Sequence, residues 1–384
     1  MSAYLNINPI NFLILSGAVQ CLLLGLLHLS RKVRHTLPNK LLALAIISVS
    51  LHVIYLMIID LDLERRYPFL LWFPYSYLTA LGPLVHLYVK SLTTENFKIS
   101  SSDYRLFIPV GLEVGLQLIQ IGYGIYVNEL PYNTPYSTAF TILGFLVGAA
   151  LIFYYLKRSM QRLQSHKQWS KANFSTIDFI TPGWLYELLK YYRVIWLLWV
   201  PFAIVFLLIF RFQWQYLILI IIAYALLLSI TYLTYWIGIK GFSQMDLIKP
   251  AKNESDTKSE SAYAKLTGLQ VKEYLFQINE IMQKEELFLE QDLDLRGLAK
   301  RVGLEANLLS YLLNQHLGKS FYQYVNTYRV EELKRRLKSV EFKRLSLLAI
   351  ALDCGFNSKT SFNRIFKQHT HMTPSQYQRK VSNV

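Results

Sequence analysis

Leu293-Asp294-Leu295-Arg296-Gly297-Leu298-Ala299-Lys300-Arg301-Val302-Gly303-Leu304 reads in register with Leu345-Ser346-Leu347-Leu348-Ala349-Ile350-Ala351-Leu352-Asp353-Cys354-Gly355-Phe356. Each copy opens on a residue suited to cap a helix, Asp294 or Ser346. A staple pair brackets each cap, Leu293 with Leu298 and Leu345 with Ile350. Ala299 and Ala351 leave room for a second helix to cross closely. Gly303 and Gly355, four residues on, permit the positive φ that a tight interhelical turn requires. The spacing predicts a helix-turn-helix written twice.

Downstream of each glycine comes the second helix of its pair, the one that enters the major groove in such motifs. In the first unit this is Ala306 to Gln315, with Leu309 and Leu312 inward and Asn307, Leu308, Ser310, Tyr311 and Asn314 outward or at its edges. The second is Ser358 to Gln368, with Phe362, Ile365 and Phe366 inward and Lys359, Thr360, Asn363 and Arg364 outward. Asn and Arg suit bidentate contacts to adenine and guanine edges, whereas Lys319, Lys367, Arg301 and Arg344 suit phosphate. Between the units, Tyr322 to Leu337 reads as a helix with Tyr324, Val325, Tyr328 and Leu333 as its packing stripe. It would hold the two reading helices on one side of a duplex, about 34 Å apart. The bland alternative is a basic protein-binding bundle. Two matched units, a connecting helix and sixteen Lys/Arg against six Asp/Glu from Leu293 to Val384 favour double-stranded DNA.

The signature Gly355-Phe356-Asn357-Ser358-Lys359-Thr360-Ser361-Phe362-Asn363-Arg364-Ile365-Phe366-Lys367, with Thr373-Pro374-Ser375-Gln376-Tyr377, resembles the AraC/XylS family of bacterial transcription regulators. Gly318-Lys319-Ser320-Phe321 and Tyr328-Arg329 are similar too, and the resemblance covers about Leu287 to Arg379. It implies a seven-helix domain that binds promoter DNA, with base-reading roles at Asn307, Ser310, Tyr311, Thr360, Asn363 and Arg364. Three positions depart from the family's pattern. Glu305 stands at the usual Ser cap of the first reading helix, Leu333 replaces a common Ala, and His371 sits where Gly usually ends the last reading helix.

The rest of the chain has a different solvent. Of 384 residues 53% are hydrophobic and the formal charge is +15, but the apolar runs lie before about Ile239, whereas Leu293 to Val384 is polar and strongly basic. Runs long enough for a bilayer core of about 30 Å occur at Pro9 to Leu29, Leu41 to Ile59, Phe69 to Val89, Leu106 to Tyr126, Tyr136 to Leu156, Tyr191 to Phe210 and Gln215 to Ile237. The fold class expected is therefore all-α: a polytopic bundle of about seven spans joined to a cytoplasmic domain. Residues 1–240 form the membrane domain, 241–266 a linker and 267–384 the DNA-binding domain.

Basic loops orient the spans. Arg31, Lys32, Arg34 and Lys40 follow the first, Lys90, Lys98 and Arg105 the third, and Lys157, Arg158, Arg162, Lys167 and Lys171 the fifth. The intervening loops are poor in basic charge, which places the N-terminus outside and the C-terminal domain in the cytoplasm of a bacterial inner membrane. The first dozen residues hold no Lys or Arg, and the run from Pro9 is too long for an h-region, so no cleavable signal is expected. The membrane domain resembles the polytopic sensors fused to this DNA-binding module in some bacteria, with a local match at Gly82-Pro83-Leu84 and Tyr88-Val89-Lys90.

Two polar stripes interrupt the spans: Glu113, Gln117 and Gln120 on the fourth, and Ser48, His52 and Tyr55 on the second, each at i, i+4, i+7. Either they are interhelical hydrogen-bonding glue, or Glu113, Gln117, Gln120 and His52 belong to a site for an unknown signal ligand, with Gln20 and His86 nearby. No HExxH, GxSxG or P-loop occurs in this half, so no enzymatic chemistry is expected. Cys21 and Cys354 have no ligand-spaced companions, so neither metal nor other cofactor is expected. Lys157 to Lys190 mixes basic residues with Trp169, Phe174, Phe179 and Trp184, and Thr181-Pro182 reads as a helix start. That stretch suits anionic lipid or, as a second option, the downstream domain.

From Lys249 to Ser261 the composition is that of a flexible tether, and Thr267 with Gln270 has the spacing of a capping box opening a helix to about Lys284. Leu269, Tyr274, Ile278 and Ile281 are its expected packing residues. Motif count does not fix symmetry: one chain carries two readers, and a homodimer is equally compatible. The runner-up function is a membrane protein that binds or transports a small molecule and carries the module as an interaction platform. A third is a passive anchor from which proteolysis in the tether frees the regulator.

Overall fold

The computed structural model describes residues 8–30, 36–75, 77–95, 97–127, 137–177, 181, 183–210, 217–244, 263, 266–338 and 345–382. The described residues are helical, apart from turns and an isolated antiparallel bridge between Phe174 and Asp294. The all-α expectation holds for them. The chain divides into two compact units: Met1–Leu163 with Pro182–Pro250, and Gln164–Thr181 with Ala251–Val384.

In the first unit the helices are α1 (Pro9–Ser30), α2 (Leu37–Asp60), α3 (Leu63–Arg66), α4 (Leu78–Thr93), α5 (Ser101–Tyr104), α6 (Ile108–Val127), α7 (Ser137–Asn173), α8 (Gly183–Phe210) and α9 (Leu217–Gln244). Helix α7 runs on past the division at Leu163. Five described stretches are long and apolar enough to cross a membrane: Pro9–Ser30, Leu37–Asp60, Ser101–Val127, Leu143–Asn173 and Ile221–Gly241. The expected third span is interrupted. Around Pro74 the run from Phe69 leaves the helical conformation, and α4 resumes only at Leu78 for 16 residues. Pro182, Arg211 and the tether Lys249 to Ser261 lie outside the described residues.

Helix α1 buries Asn11, Ile14, Ala18, Cys21, Gly25 and His28, spaced three and four apart, while Phe12, Leu13, Leu23 and Leu27 stay exposed. One side of the helix thus packs on protein while the other is apolar and open. Small residues set the approach. A Cβ on Gly25 would lie 2.7 Å from Ile47 Cγ1 on α2, and one on Gly238 of α9 would collide with Leu24. At one end of these helices Asp60 accepts hydrogen bonds from Asn11 Nδ2 (3.2 Å) and the Tyr224 hydroxyl (2.9 Å), tying α1, α2 and α9 together.

The second unit holds α10 (Gly268–Lys284), α11 (Leu295–Val302), α12 (Ala306–Tyr311), α13 (Phe321–Lys338), α14 (Leu347–Asp353), α15 (Lys359–Thr370) and α16 (Pro374–Ser382). The capping box at α10 forms: the Thr267 hydroxyl oxygen accepts from Gln270 N at 3.3 Å while Gln270 Oε1 accepts from Thr267 N at 3.0 Å. Ile278 is buried as expected, but Leu269 is 80% exposed and Val271 and Met282 fill the core instead.

Helix α13 carries two packing faces where the sequence suggested one. Phe321, Tyr324, Val325 and Tyr328 join the core around α10 to α12. Tyr322, Val330, Leu333 and Leu337 join a second core with Ile350, Phe356, Phe362 and Phe366. The two sets are offset on the helical wheel, so one helix serves as a wall for both units. Glu332, largely buried on this helix, binds Arg335 and Arg336, and those contacts, the Arg335 hydrogen bond foremost, hold its carboxyl below the usual carboxylate range. A depressed folded-state pKa contributes stability above the unfolded value, about 4.3, which is lost as pH falls through the folded value. The urea midpoint of this unit should therefore fall between about pH 5 and pH 3, and less steeply in Glu332→Gln.

Candidate nucleic-acid interface

Both expected turns form. In the first, Asp294 Oδ1 accepts from Gly297 N at 2.7 Å, and Gly303 ends α11 at φ 76°. Leu304 N then reaches back to Ala299 O at 2.9 Å, which satisfies a helix-end carbonyl. In the second, Ser346 Oγ accepts from Ala349 N at 3.1 Å and Gly355 takes φ 88°. The staples differ: Leu293 and Leu298 are buried, whereas Leu345 is 43% exposed beside a buried Ile350. The second staple is therefore the looser of the two.

Helix α12 is shorter than the sequence suggested and passes into a wider π-helical turn over Leu312–His316. Leu309, Leu312 and Leu313 are buried. Asn307, Ser310 and Tyr311 are partly exposed and Asn314 is exposed, with Asn314 Nδ2 donating to Ser310 Oγ at 3.2 Å. Glu305 makes no side-chain cap; it accepts from the Tyr263 hydroxyl at 2.9 Å, and the Tyr263 ring lies 5.7 Å from that of Tyr311. Lys319 is partly exposed.

Helix α15 is capped by Ser358, whose hydroxyl accepts from Ser361 N at 3.1 Å. Phe362, Ile365 and Phe366 point inward, and Lys359, Thr360, Asn363 and Lys367 are exposed. Arg364 is half-buried, donating to the Tyr322 hydroxyl at 3.1 Å with its guanidinium 6.0 Å from that ring. The outer faces of both second helices are thus polar or basic. Arg301 is engaged by Glu285 (3.3 Å) and Glu290 (2.7 Å), so its charge is partly neutralised. Arg344 lies outside the described residues.

His371 closes α15 at φ 58°, a left-handed conformation that glycine adopts freely and histidine does not. His371→Gly should raise the stability of this unit by about 0.5 to 1 kcal/mol, read as a higher urea midpoint.

Arg329, part of the Tyr328-Arg329 match, carries a structural role that its place in the sequence did not assign. It is 1% exposed, yet its Nε donates to Phe288 O at 2.7 Å and Nη2 to Glu290 O at 2.6 Å. Burial lowers the guanidinium to about 10, so it stays charged at neutral pH in a cradle of carbonyl oxygens. A cation set within the apolar repeat of Tyr322, Val330 and Leu333 was the available signal. Cys354 is buried and its thiol is pushed up to about 12 by burial, which suppresses the reactive thiolate.

In the first unit of the chain, the two polar stripes lie on α6 and α2, and each packs separately against α4. Glu113 accepts from Thr79 N (3.2 Å) and Thr79 Oγ1 (2.5 Å), linking α6 to α4. Gln120 Nε2 is buried with no partner among the described residues; Gln117 is half-buried. Ser48 bonds back to Ala45 O, Tyr55 stacks on Tyr75, and His52 Nδ1 is buried without a partner among the described residues. His52 lines a small cavity of about 20 Å³ together with Ser48, Tyr77, Trp196 and Trp199. Glu113, Gln117 and Gln120 are not among its lining residues. His86 lies against Tyr155 and Ser159, and Gln20 is exposed.

Residues 298–380 match the family model of a helix-turn-helix domain. An HTH-type transcriptional regulator of Staphylococcus aureus (strain COL) is 37% identical over 100 residues, 26% of this chain and 13% of that protein. The HTH-type transcriptional regulator GlxA of Rhizobium meliloti (strain 1021) is 29% identical over 100 residues, 26% of this chain and 30% of that protein. A solved structure of a protein of unknown function from Listeria innocua is 30% identical, covering 27% of this chain and 93% of that one, with a TM-score of 0.24. The chain thus spans a small part of the length of the curated relatives it matches.

Proposed function

We propose, taking as premise the AraC-type helix-turn-helix domain at the C-terminus, that this chain is a membrane-anchored one-component transcription regulator. A seven-helix domain reads promoter DNA through α12 and α15, and the apolar bundle before it senses a signal and controls that reading. The observation that carries this is the pairing of two units with matched caps and positive-φ turns, each presenting exposed polar or basic side chains, in one chain with five helices long enough to span a bilayer. Asn307, Ser310, Tyr311, Asn314, Thr360, Asn363 and Arg364 are assigned to bases, and Lys319, Lys359 and Lys367 to bases' edges or phosphate. The bundle sits in a bacterial inner membrane with the DNA-binding domain in the cytoplasm. His52, whose imidazole Nδ1 is buried with no partner among the described residues and which lines, with Tyr77, Trp196 and Trp199, a cavity with room for about one water, is the best-supported point at which a signal acts on the bundle. Glu113, Gln117 and Gln120 then tune the packing of α6 on α4.

The test uses membranes bearing the full chain and promoter fragments from its own genome. Arg364→Ala should cost about 1 to 3 kcal/mol of specific binding and relax preference at one base pair. Lys367→Ala should instead weaken all sequences alike and flatten the dependence on salt. Arg364→Ala with unaltered affinity and sequence preference removes that residue from base reading. No specific binding by the unaltered chain favours the interaction-platform reading.

A further inference from the structure

Four residues that stand between α7 and α8 in the chain are built into the core of the C-terminal domain. Phe174 bridges Asp294 in antiparallel fashion. Both Ser175 N (3.2 Å) and Ser175 Oγ (2.7 Å) donate to Leu293 O, at the mouth of the first helix-turn-helix unit. Ser175 O accepts from Asn326 Nδ2 at 2.9 Å and Arg329 Nη1 at 3.5 Å, and Ser175 Oγ accepts from Arg329 Nη2 at 3.1 Å. Thr176 Oγ1 accepts from Arg329 Nη1 at 3.3 Å and lies 3.4 Å from Asn357 Oδ1, beside the turn of the second unit. Ile177 is 3% exposed and packs in the second unit's core.

The segment therefore touches the first unit, the connecting helix and the second unit at once. It also finishes the cradle of Arg329, because Nη1 donates to Ser175 and Thr176. Without those oxygens a buried cation would be left with unmatched donors, a costly state. Ser175, Thr176 and Ile177 are all buried, so this is an inserted segment and not a surface graze. The exposed reading side chains Lys359, Thr360 and Asn363 lie outside it and are left uncovered.

We infer that the waist of the DNA-binding domain, formed by Leu293, Asn326, Arg329 and Asn357, is a docking groove for residues 174–177 of the same chain, and that this latch couples the membrane half to promoter binding. The inference rests on the regulator reading above. With the segment seated, both helix-turn-helix units are fixed on α13 and the two reading helices are pre-organised for adjacent grooves. Withdrawal loosens the domain. Helix α7, from Ser137 to Asn173, ends directly ahead of the latch, which makes the latch the segment that follows it in the chain.

The experiment is disulfide trapping in the full chain in its membrane, with promoter occupancy read in parallel. Residues opposed across an antiparallel bridge have the spacing a disulfide needs, so Phe174→Cys with Asp294→Cys should crosslink on mild oxidation, and neither single variant should. Ile177→Glu should lower both crosslinking and promoter occupancy, the latter about tenfold. Oxidising the Phe174→Cys, Asp294→Cys pair in that background should restore occupancy, which a misfolded domain would not allow. A chain that occupies its promoter but does not crosslink overturns the latch. So does crosslinking with occupancy indifferent to Ile177→Glu. Crosslinking in a chain that binds no promoter at all overturns the regulator reading, and with it the coupling.

Discussion

Gly355→Ala is expected to unfold the second helix-turn-helix unit. A Cβ at this position would lie 2.5 Å from Phe288 O, 2.9 Å from Arg329 Nε and 3.0 Å from Leu289 O. Two of these are backbone oxygens, which cannot step aside as a side-chain tip can. The third is the buried guanidinium that holds the same loop. To these contacts is added φ 88°, a conformation that costs an L-residue about 1 to 2 kcal/mol even in open space. The sum should exceed about 4 kcal/mol, in the range reserved for severe single substitutions. Gly303 is the internal control. It has φ 76° but nothing within 4 Å of an added methyl, so Gly303→Ala should cost only about 1 to 2 kcal/mol. Pulse proteolysis of the full chain across a urea series separates the two, and equal losses at both positions would show that the clash at Gly355 is relieved by movement of the loop.

Arg329→Met should rank second. Methionine matches the side chain's apolar stem but removes the donor to Phe288 O and the charged donors to Glu290 O and Ser175 O, which keep Leu293 N and Asn326 Nδ2. An abandoned buried acceptor costs about 1 to 3 kcal/mol and a lost hydrogen bond to a charged group about 1.5 to 3, so a net loss of about 3 kcal/mol is expected after the desolvation recovered by removing the charge. Arg329→Lys should recover little, because an ammonium cannot reproduce the planar fork that reaches Phe288 O from Nε and Glu290 O from Nη2. The same urea series reads the result. A methionine variant as stable as the parent would mean that the carbonyl cradle relaxes onto other donors.

The parts of this molecule that could be read from residues alone are those set by local spacing. Asp294 and Ser346 as caps, Gly303 and Gly355 as positive-φ turns, and Thr267 with Gln270 as a capping box are each decided within four residues. Long-range pairing was not legible. Ser175 meets Leu293 across 118 residues and Arg329 across 154, and in sequence Ser175-Thr176 is merely a polar break in an aromatic and basic stretch that suits a lipid surface equally well. The second face of α13 was hidden for a related reason. Tyr322, Val330 and Leu333 form a stripe only when Arg329 beside them is accepted as buried, which requires knowing that carbonyl oxygens converge there. Leu345 and Leu269 carry the right side chain at the right spacing, yet both stand exposed, since a staple needs a neighbouring surface that sequence spacing does not supply. In the apolar half, hydropathy marked Phe69 to Val89 as one run, and backbone geometry around Pro74 divides it before α4 begins.

The central claim, that a membrane-held chain reads specific DNA through α12 and α15, is tested most directly by crosslinking the intact protein to DNA in its host and sequencing what it holds, beside an Asn363→Ala, Arg364→Ala control. A short recurrent motif upstream of a few genes, present with the parent chain and lost in the control, is the predicted result. Recovery of no motif, or of the same motif from parent and control alike, would contradict it.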